Sequence, residues 1–195
     1  MFVLTIDQRE SRKQADHVPR VLAELAAAIA PALPFERTAG DEVQGVLTAP
    51  DDVVGVALRL QRGGGWWVGV GIGAVETPLP ASAREGRGEA YRNARTAVES
   101  AKSNSSGLAV VGGPLATHVE AALWLLATLL HRRTPPGWQV VDAMRGRRLQ
   151  IDVARELGIS AQAVSRRLQV AGWTEERRGR ELAAWLLAQA DGEPA

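Results

Sequence analysis

Three carboxylates and a short cationic loop are the residues of this chain best suited to chemistry: Asp7, Asp41 and Glu42, with Ser11, Arg12 and Lys13. Mg2+ prefers oxygen ligands, and proteins commonly hold it with one or two carboxylates together with substrate phosphates. Asp7 closes the apolar run Phe2-Val-Leu-Thr-Ile6, while Asp41 and Glu42 end Ala39-Gly-Asp-Glu42, a turn between two strand-like runs. Should those strands be neighbours, the carboxylates converge at one end of the sheet. Ser11, Arg12 and Lys13, beside a helix start, then form a phosphate cradle. The cofactor this pattern points to is Mg2+. Plainer roles fit the same residues, since an Asp after a strand often caps a helix and Gly-Asp in a hairpin is often only a turn.

A second constellation lies far downstream. Residues 148–173 have the spacing of a helix-turn-helix that enters DNA. Val153 and Leu157 give the first helix an inner face, and Ala154 is small enough for a second helix to cross above it. Gly158 can take the left-handed conformation that ends a helix, Ile159 plugs the corner, and Ser160 can cap the next helix. Val164 and Leu168, four apart, anchor that helix. Its outward positions are Ala161, Gln162, Ser165, Arg166 and Gln169, short or hydrogen-bonding side chains suited to base edges in a major groove. Ser160 and these five are the expected DNA contacts. Arg147 and Arg148 are expected to act mainly on phosphates. An ordinary helical hairpin with a glycine turn is the alternative.

The elements that must position these groups follow from periodicity. Strands are expected at 2–6, 35–38, 43–48, 67–75 and 108–111, and helices at 18–30, about 51–62, and 89–102. In the fourth strand Val68, Val70, Ile72 and Ala74 alternate with Gly69, Gly71 and Gly73, so one face is bare backbone that a helix or ligand can approach. The order predicts a split βαβ, ferredoxin-like sheet with helices on one side. Gly112-Gly-Pro114 marks the end of that domain, 1–113. A connecting helix at 114–134, apolar on nearly every side, follows; burial against the first domain or against a second copy of the chain would cover it equally well, and it is the candidate dimer helix, with Trp124 and Leu125 as anchors. Pro135-Pro-Gly137 interrupts, and residues 135–195 form an all-α helix-turn-helix domain closed by a helix at 174–190 that offers Leu182, Trp185, Leu186 and Gln189 on one face. The fold class is α+β.

Composition restricts the partners. The chain has 195 residues, 46% of them apolar, and no cysteine, which excludes disulfides and thiolate metal sites and fits a reducing cytoplasm. No signal peptide is expected, because Asp7 interrupts the first apolar run too early. The most apolar stretch, 121–130, is far shorter than the roughly 20 residues that span a bilayer. The net charge of +1 is unevenly divided: from His131 to Arg180 eleven arginines face five acidic residues, whereas residues 1–113 carry twelve basic and thirteen acidic groups. Basic charge therefore gathers around the proposed reader, as phosphate neutralisation requires.

A family resemblance adds to this reading. Arg37-Thr-Ala-Gly-Asp-Glu-Val43 resembles the signature hairpin of GGDEF domains and of class III nucleotidyl cyclases, and 68–74 with 90–102 resemble the next strand and helix of that palm-like fold. The chain is more similar still to the SatD family, through Asp7-x-x-x-Ser11-Arg12-Lys13, Gly40-Asp-Glu-Val-Gln-Gly45, Gly69-Val-Gly-Ile-Gly-Ala-Val-Glu-Thr77 and Gly88-Glu-Ala-Tyr-Arg-Asn-Ala-Arg95. The similarity covers about residues 1–113 and implies a palm-like, cyclase-like domain joined to a DNA-binding one. It also implies a nucleotide ligand of unspecified identity, with Asn93 and Arg95 beside it. Departures argue against turnover. Class III cyclases place an Arg four residues after the Asn, and here that position is Ala97. Ala39 and Val43 replace the first Gly and the Phe of the GGDEF signature. Losing a transition-state cation typically removes several powers of ten in phosphoryl chemistry.

Three functions stay open at this point. One is a homodimeric, DNA-binding transcriptional regulator whose first domain senses a nucleotide. Another is a Mg2+-dependent nucleotidyl-transfer enzyme with a DNA-binding tail. The third is a DNA-binding protein whose first domain only dimerises. The expected partners are double-stranded DNA and a second copy of the chain, in the cytoplasm without membrane insertion.

Overall fold

The computed structural model describes residues 1–146 and 148–192. Among them are five strands and eight α-helices, an α+β arrangement. The strands are β1 (Phe2–Gln8), β2 (Leu33–Ala39), β3 (Glu42–Leu47), β4 (Trp66–Ile72) and β5 (Leu108–Val111). They form one mixed sheet in the order β2-β3-β1-β4-β5. β1 runs antiparallel to both β3 and β4, β2 and β3 form a hairpin, and β5 is parallel to β4. The helices between strands are α1 (Val18–Ala28), α2 (Pro50–Gly63) and α3 (Glu89–Ser103).

Every residue of β1 is buried, as a central strand covered on both faces requires. Alternation divides it. Phe2, Leu4 and Ile6 pack with Val68, Val70 and Ile72 against Val21 and Leu25 of α1 and Val53 and Val56 of α2. Val3 joins a separate cluster with Ala90 and Ala94 of α3. The expectation of helices on one side is therefore corrected: α3 lies on the opposite face from α1 and α2. The glycine row is the physical reason. A Cβ on Gly69 would lie 2.3 Å from the Val98 nitrogen, and one on Gly71 only 2.1 Å from the Ala90 carbonyl oxygen. The bare strip is filled by the backbone of an alanine-rich helix, not by a ligand.

The remaining helices are α4 (Ala116–Arg132), α5 (Pro135–Met144), α6 (Gln150–Leu157), α7 (Ala161–Val170) and α8 (Trp173–Gly192). Pro135 and Pro136 open α5 rather than interrupting the chain, since a proline at the first helical position lacks only an N–H that has no intrahelical partner there. Hydrophobic clustering does not follow chain order. α4 contributes Val119, Leu123, Leu126 and Leu130 to the core on the α1/α2 face of the sheet, and α8 contributes Ala183, Ala184, Leu187 and Ala190 to the same core. α5, α6 and α7 form their own cluster around Val140, Val141, Val153, Ala154, Val164 and Leu168.

The stripe at Leu182, Trp185, Leu186 and Gln189 is not the buried face of the last helix. Leu182 and Trp185 are 52% and 57% exposed, and the buried row is rotated onto Ala183, Ala184, Leu187 and Ala190. Small residues win because α8 is drawn close to α4, where Gly179 lies directly against Leu126. On α4, Trp124 donates from its indole nitrogen to the Leu108 carbonyl at 2.9 Å, which ties it to β5, while Leu125 is 74% exposed.

Candidate functional site

Two regions carry the residues singled out from the sequence. The first is the end of the sheet where β1 meets the β2–β3 hairpin. Asp7 and Glu42 are direct cross-strand partners, and Asp41 sits in the tight hairpin before Glu42. Ser11, Arg12 and Asp41 line a small cleft of about 270 Å3, so the cationic loop and the hairpin do come together. Lys13 is exposed on the same loop, its amide donating to the Glu10 carbonyl.

The charges at this end are matched from α3. Lys102 lies 2.6 Å from Asp7 and 3.1 Å from Glu99. Arg95 lies 2.5 Å from Glu42, which also accepts a hydrogen bond from the Thr38 hydroxyl at 2.7 Å. Burial pushes the Asp7 carboxyl above its ordinary value, with the Asp41 charge adding to that and Lys102 opposing it. Asp41 is held low, chiefly by a hydrogen bond from Ser11. Lys102 keeps a raised pKa: burial works against its charge, but hydrogen bonds to Asp7 and Glu99 outweigh it. Asn93 is a structural tie, donating to the Ile72 carbonyl at 2.7 Å beneath Gly112.

Among the described residues no group of three His, Cys, Asp or Glu side chains is assembled that could hold a metal ion. Asp7 and Glu42 each already face a cation on α3, so the arrangement does not suit Mg2+ without displacing Lys102. Lys102 escaped the sequence reading. Its single signal, the i−3 Glu99, describes a surface pair and gives no hint of a partner across the sheet.

The second region is the α5–α7 cluster. Gly158 ends α6 in the left-handed conformation, φ +64°, and Ser160 caps α7 by accepting from the Ala163 amide at 3.1 Å. Val164 and Leu168 are buried, while Gln162, Ser165, Arg166 and Gln169 are exposed and Ala161 is half-buried. The turn, the cap and the buried pair fall where the spacing predicts, while Ala161, expected to face outward, is partly covered. Arg148 is ion-paired with Glu156. Arg147 lies outside the described residues.

Contacts that join the α5–α7 cluster to α2, α4 and α8 were not legible from spacing. Arg62 at the end of α2 pairs with both oxygens of Asp142 on α5, at 2.7 and 2.6 Å. Trp138, also on α5, has the Arg62 guanidinium 3.6 Å from its ring centroid and that of Arg133 at 4.4 Å. Arg133 is fully buried, lies 2.7 Å from the buried Glu176 of α8, and donates to the Ala171 carbonyl at 2.9 Å. Glu176 stays low despite burial, because Arg180 and Arg133 favour its charged form. Trp138 therefore does more than fill core, the role expected of a large aromatic.

No described helix is long and apolar enough to cross a membrane. Comparison with family models, with curated proteins and with solved structures finds no match to this chain.

Proposed function

We propose that this chain is a homodimeric, DNA-binding transcriptional regulator of the SatD type, in which a palm-like domain of cyclase-like ancestry governs a helix-turn-helix. One observation carries the reading: Gln162, Ser165, Arg166 and Gln169 project to solvent from a helix whose opposite face is anchored by Val164 and Leu168. Burial of those side chains in the protein's own interior would have removed the interface. The split connectivity, with β3 between β1 and β2 and β1 between β3 and β4, supports the palm-like reading. Readers of this type act as two-fold dimers that place their helices about 34 Å apart on one face of the duplex. Leu125, Leu182 and Trp185, exposed on two helices packed against each other, support a second copy of the chain as the partner.

The alternative, Mg2+-dependent nucleotidyl transfer, is weakened by the Lys102–Asp7 and Arg95–Glu42 pairs and by Ala97. The direct test is selection from a random pool of duplexes by the purified protein, followed by a nucleotide assay with ATP, GTP and Mg2+. Enrichment of a discrete, two-fold sequence without pyrophosphate release is the expected result. Pyrophosphate release at a rate abolished by Asp7→Asn would favour the enzyme.

A further inference from the structure

A cleft of about 710 Å3 opens between α1, α2, α4 and α8, within the size range of small-molecule sites. Its lining is built like a site for an organic anion. Six arginines surround it: Arg20, Arg59, Arg62, Arg145, Arg177 and Arg180. Three carboxylates oppose them, Glu24, Asp52 and Glu176. Glu24 pairs with Arg20, and Glu176 is consumed by Arg133 and Arg180. Arg59 and Arg177 have no acidic partner within 4.0 Å among the described residues, and Arg145 reaches Asp142 only at 3.6 Å. Burial also works against the Arg145 charge, so a bound anion would relieve it. Leu25, Val56, Leu130 and the half-buried Trp173 give the same cleft an apolar wall.

We propose that this cleft binds a nucleoside polyphosphate, with its phosphates on Arg59, Arg145 and Arg177 and its base against the apolar wall. Arginines from separate elements match clustered phosphate oxygens better than a single carboxylate, because each guanidinium can offer parallel N–H donors. A concave site also favours a small anion over a duplex. The position gives the ligand leverage. Arg62 and Arg145 are the two cations on Asp142, and Arg62 covers Trp138, so phosphates held on Arg145 beside Arg62 bear on the contacts that seat α5 against α2. α5 carries the α6–α7 pair in its own cluster. Ligand and reader are thereby linked, a step that rests on the regulator reading; the binding site itself does not.

Calorimetric titration of the full chain with ATP, GTP, pyrophosphate and adenosine tests the site, using Arg59→Ala/Arg177→Ala and Asp41→Asn. Both arginines are exposed, so the double variant should fold, with an unchanged circular dichroism spectrum and melting transition as the check. A nucleoside triphosphate should bind, pyrophosphate more weakly, and adenosine not at all. The double variant should lose at least about tenfold in affinity, while Asp41→Asn loses none. Absence of triphosphate binding below about 1 mM overturns the proposal, as does binding lost in Asp41→Asn and kept in the double variant. Weaker DNA binding by the ligand-free double variant, with no triphosphate binding by the wild type, would make the arginines a phosphate-backbone contact instead. Triphosphate binding by a protein that selects no DNA sequence would sink the regulator reading and leave the cleft standing.

Discussion

Arg133 and Glu176 are the pair on which local stability turns, because neither can reach water. Their side chains are 0% and 3% exposed, and Arg180 adds a second contact to Glu176. Removing one partner of such a pair strands the other charge and typically costs about 3–5 kcal/mol, far more than an exposed pair contributes. Glu176→Ala should therefore lower the unfolding free energy by about that amount in urea denaturation. Loss of less than about 1 kcal/mol would mean that water reaches Arg133. The pH dependence has a definite sign. Glu176 and Asp142 are both held below their ordinary values, Glu176 by Arg180 and Arg133 against burial, Asp142 by Arg62 against burial. Their stabilisation is complete above the unfolded carboxyl range, about pH 4.3, and is lost as pH falls through the lower folded values. Asp7, raised by burial, acts in the opposite sense and gains from acidification. Urea midpoints should fall from pH 5 to pH 3, with a shallower fall in Glu176→Gln.

At the scale of elements, one glycine and one serine do what their positions require. Gly71→Ala would place a Cβ 2.1 Å from the Ala90 carbonyl oxygen and 2.2 Å from the Ala94 nitrogen, so α3 must move off the sheet. Overpacking of this kind costs about 1–3 kcal/mol, which chemical denaturation will read. Ser160→Ala removes the cap on α7 and should cost about 1 kcal/mol. These features were legible because each leaves a local trace: a period of two with glycine on one face, and a serine after Gly-Ile before a helical repeat. The face of α8 was not legible. Leu182, Trp185 and Leu186 make the more apolar stripe, yet Ala183, Ala184 and Leu187 face inward. Close helix packing selects small residues, and a one-dimensional pattern cannot weigh closeness against hydrophobicity. The helices on both sides of the sheet were hidden for a related reason: the glycine row announced a close approach without saying which segment made it.

For the molecule as a whole, sequence order and packing order diverge. The chain leaves the sheet at β5, lays α4 back on it, builds the α5–α7 cluster outward, and returns with α8 to the sheet core. The α5–α7 cluster is therefore held at both ends, through α4–α5 and through α7–α8, and its seat is fixed by Arg62–Asp142 and the Trp138 stack. Nothing in the sequence pairs Arg62 with Asp142, eighty residues away, because long-range ion pairs carry no periodicity. The outer faces of α4 and α8 expose Leu125, Leu182 and Trp185. Trp185→Glu should shift the protein towards monomer in sedimentation equilibrium while changing stability by less than about 0.5 kcal/mol, as an exposed position allows. A large loss of stability with unchanged mass would mean that Trp185 serves the fold and not a dimer.

If the outer face of α7 reads a duplex as proposed, Arg166 is the side chain whose loss tests it most sharply. Titrating the wild type and Arg166→Ala against a selected duplex and a random one, at a single salt concentration, measures the specificity ratio directly. A base-reading Arg166 predicts a loss of about 1–3 kcal/mol on the selected duplex and little on the random one. Equal losses on both duplexes, or no difference between the duplexes for the wild type, would contradict it.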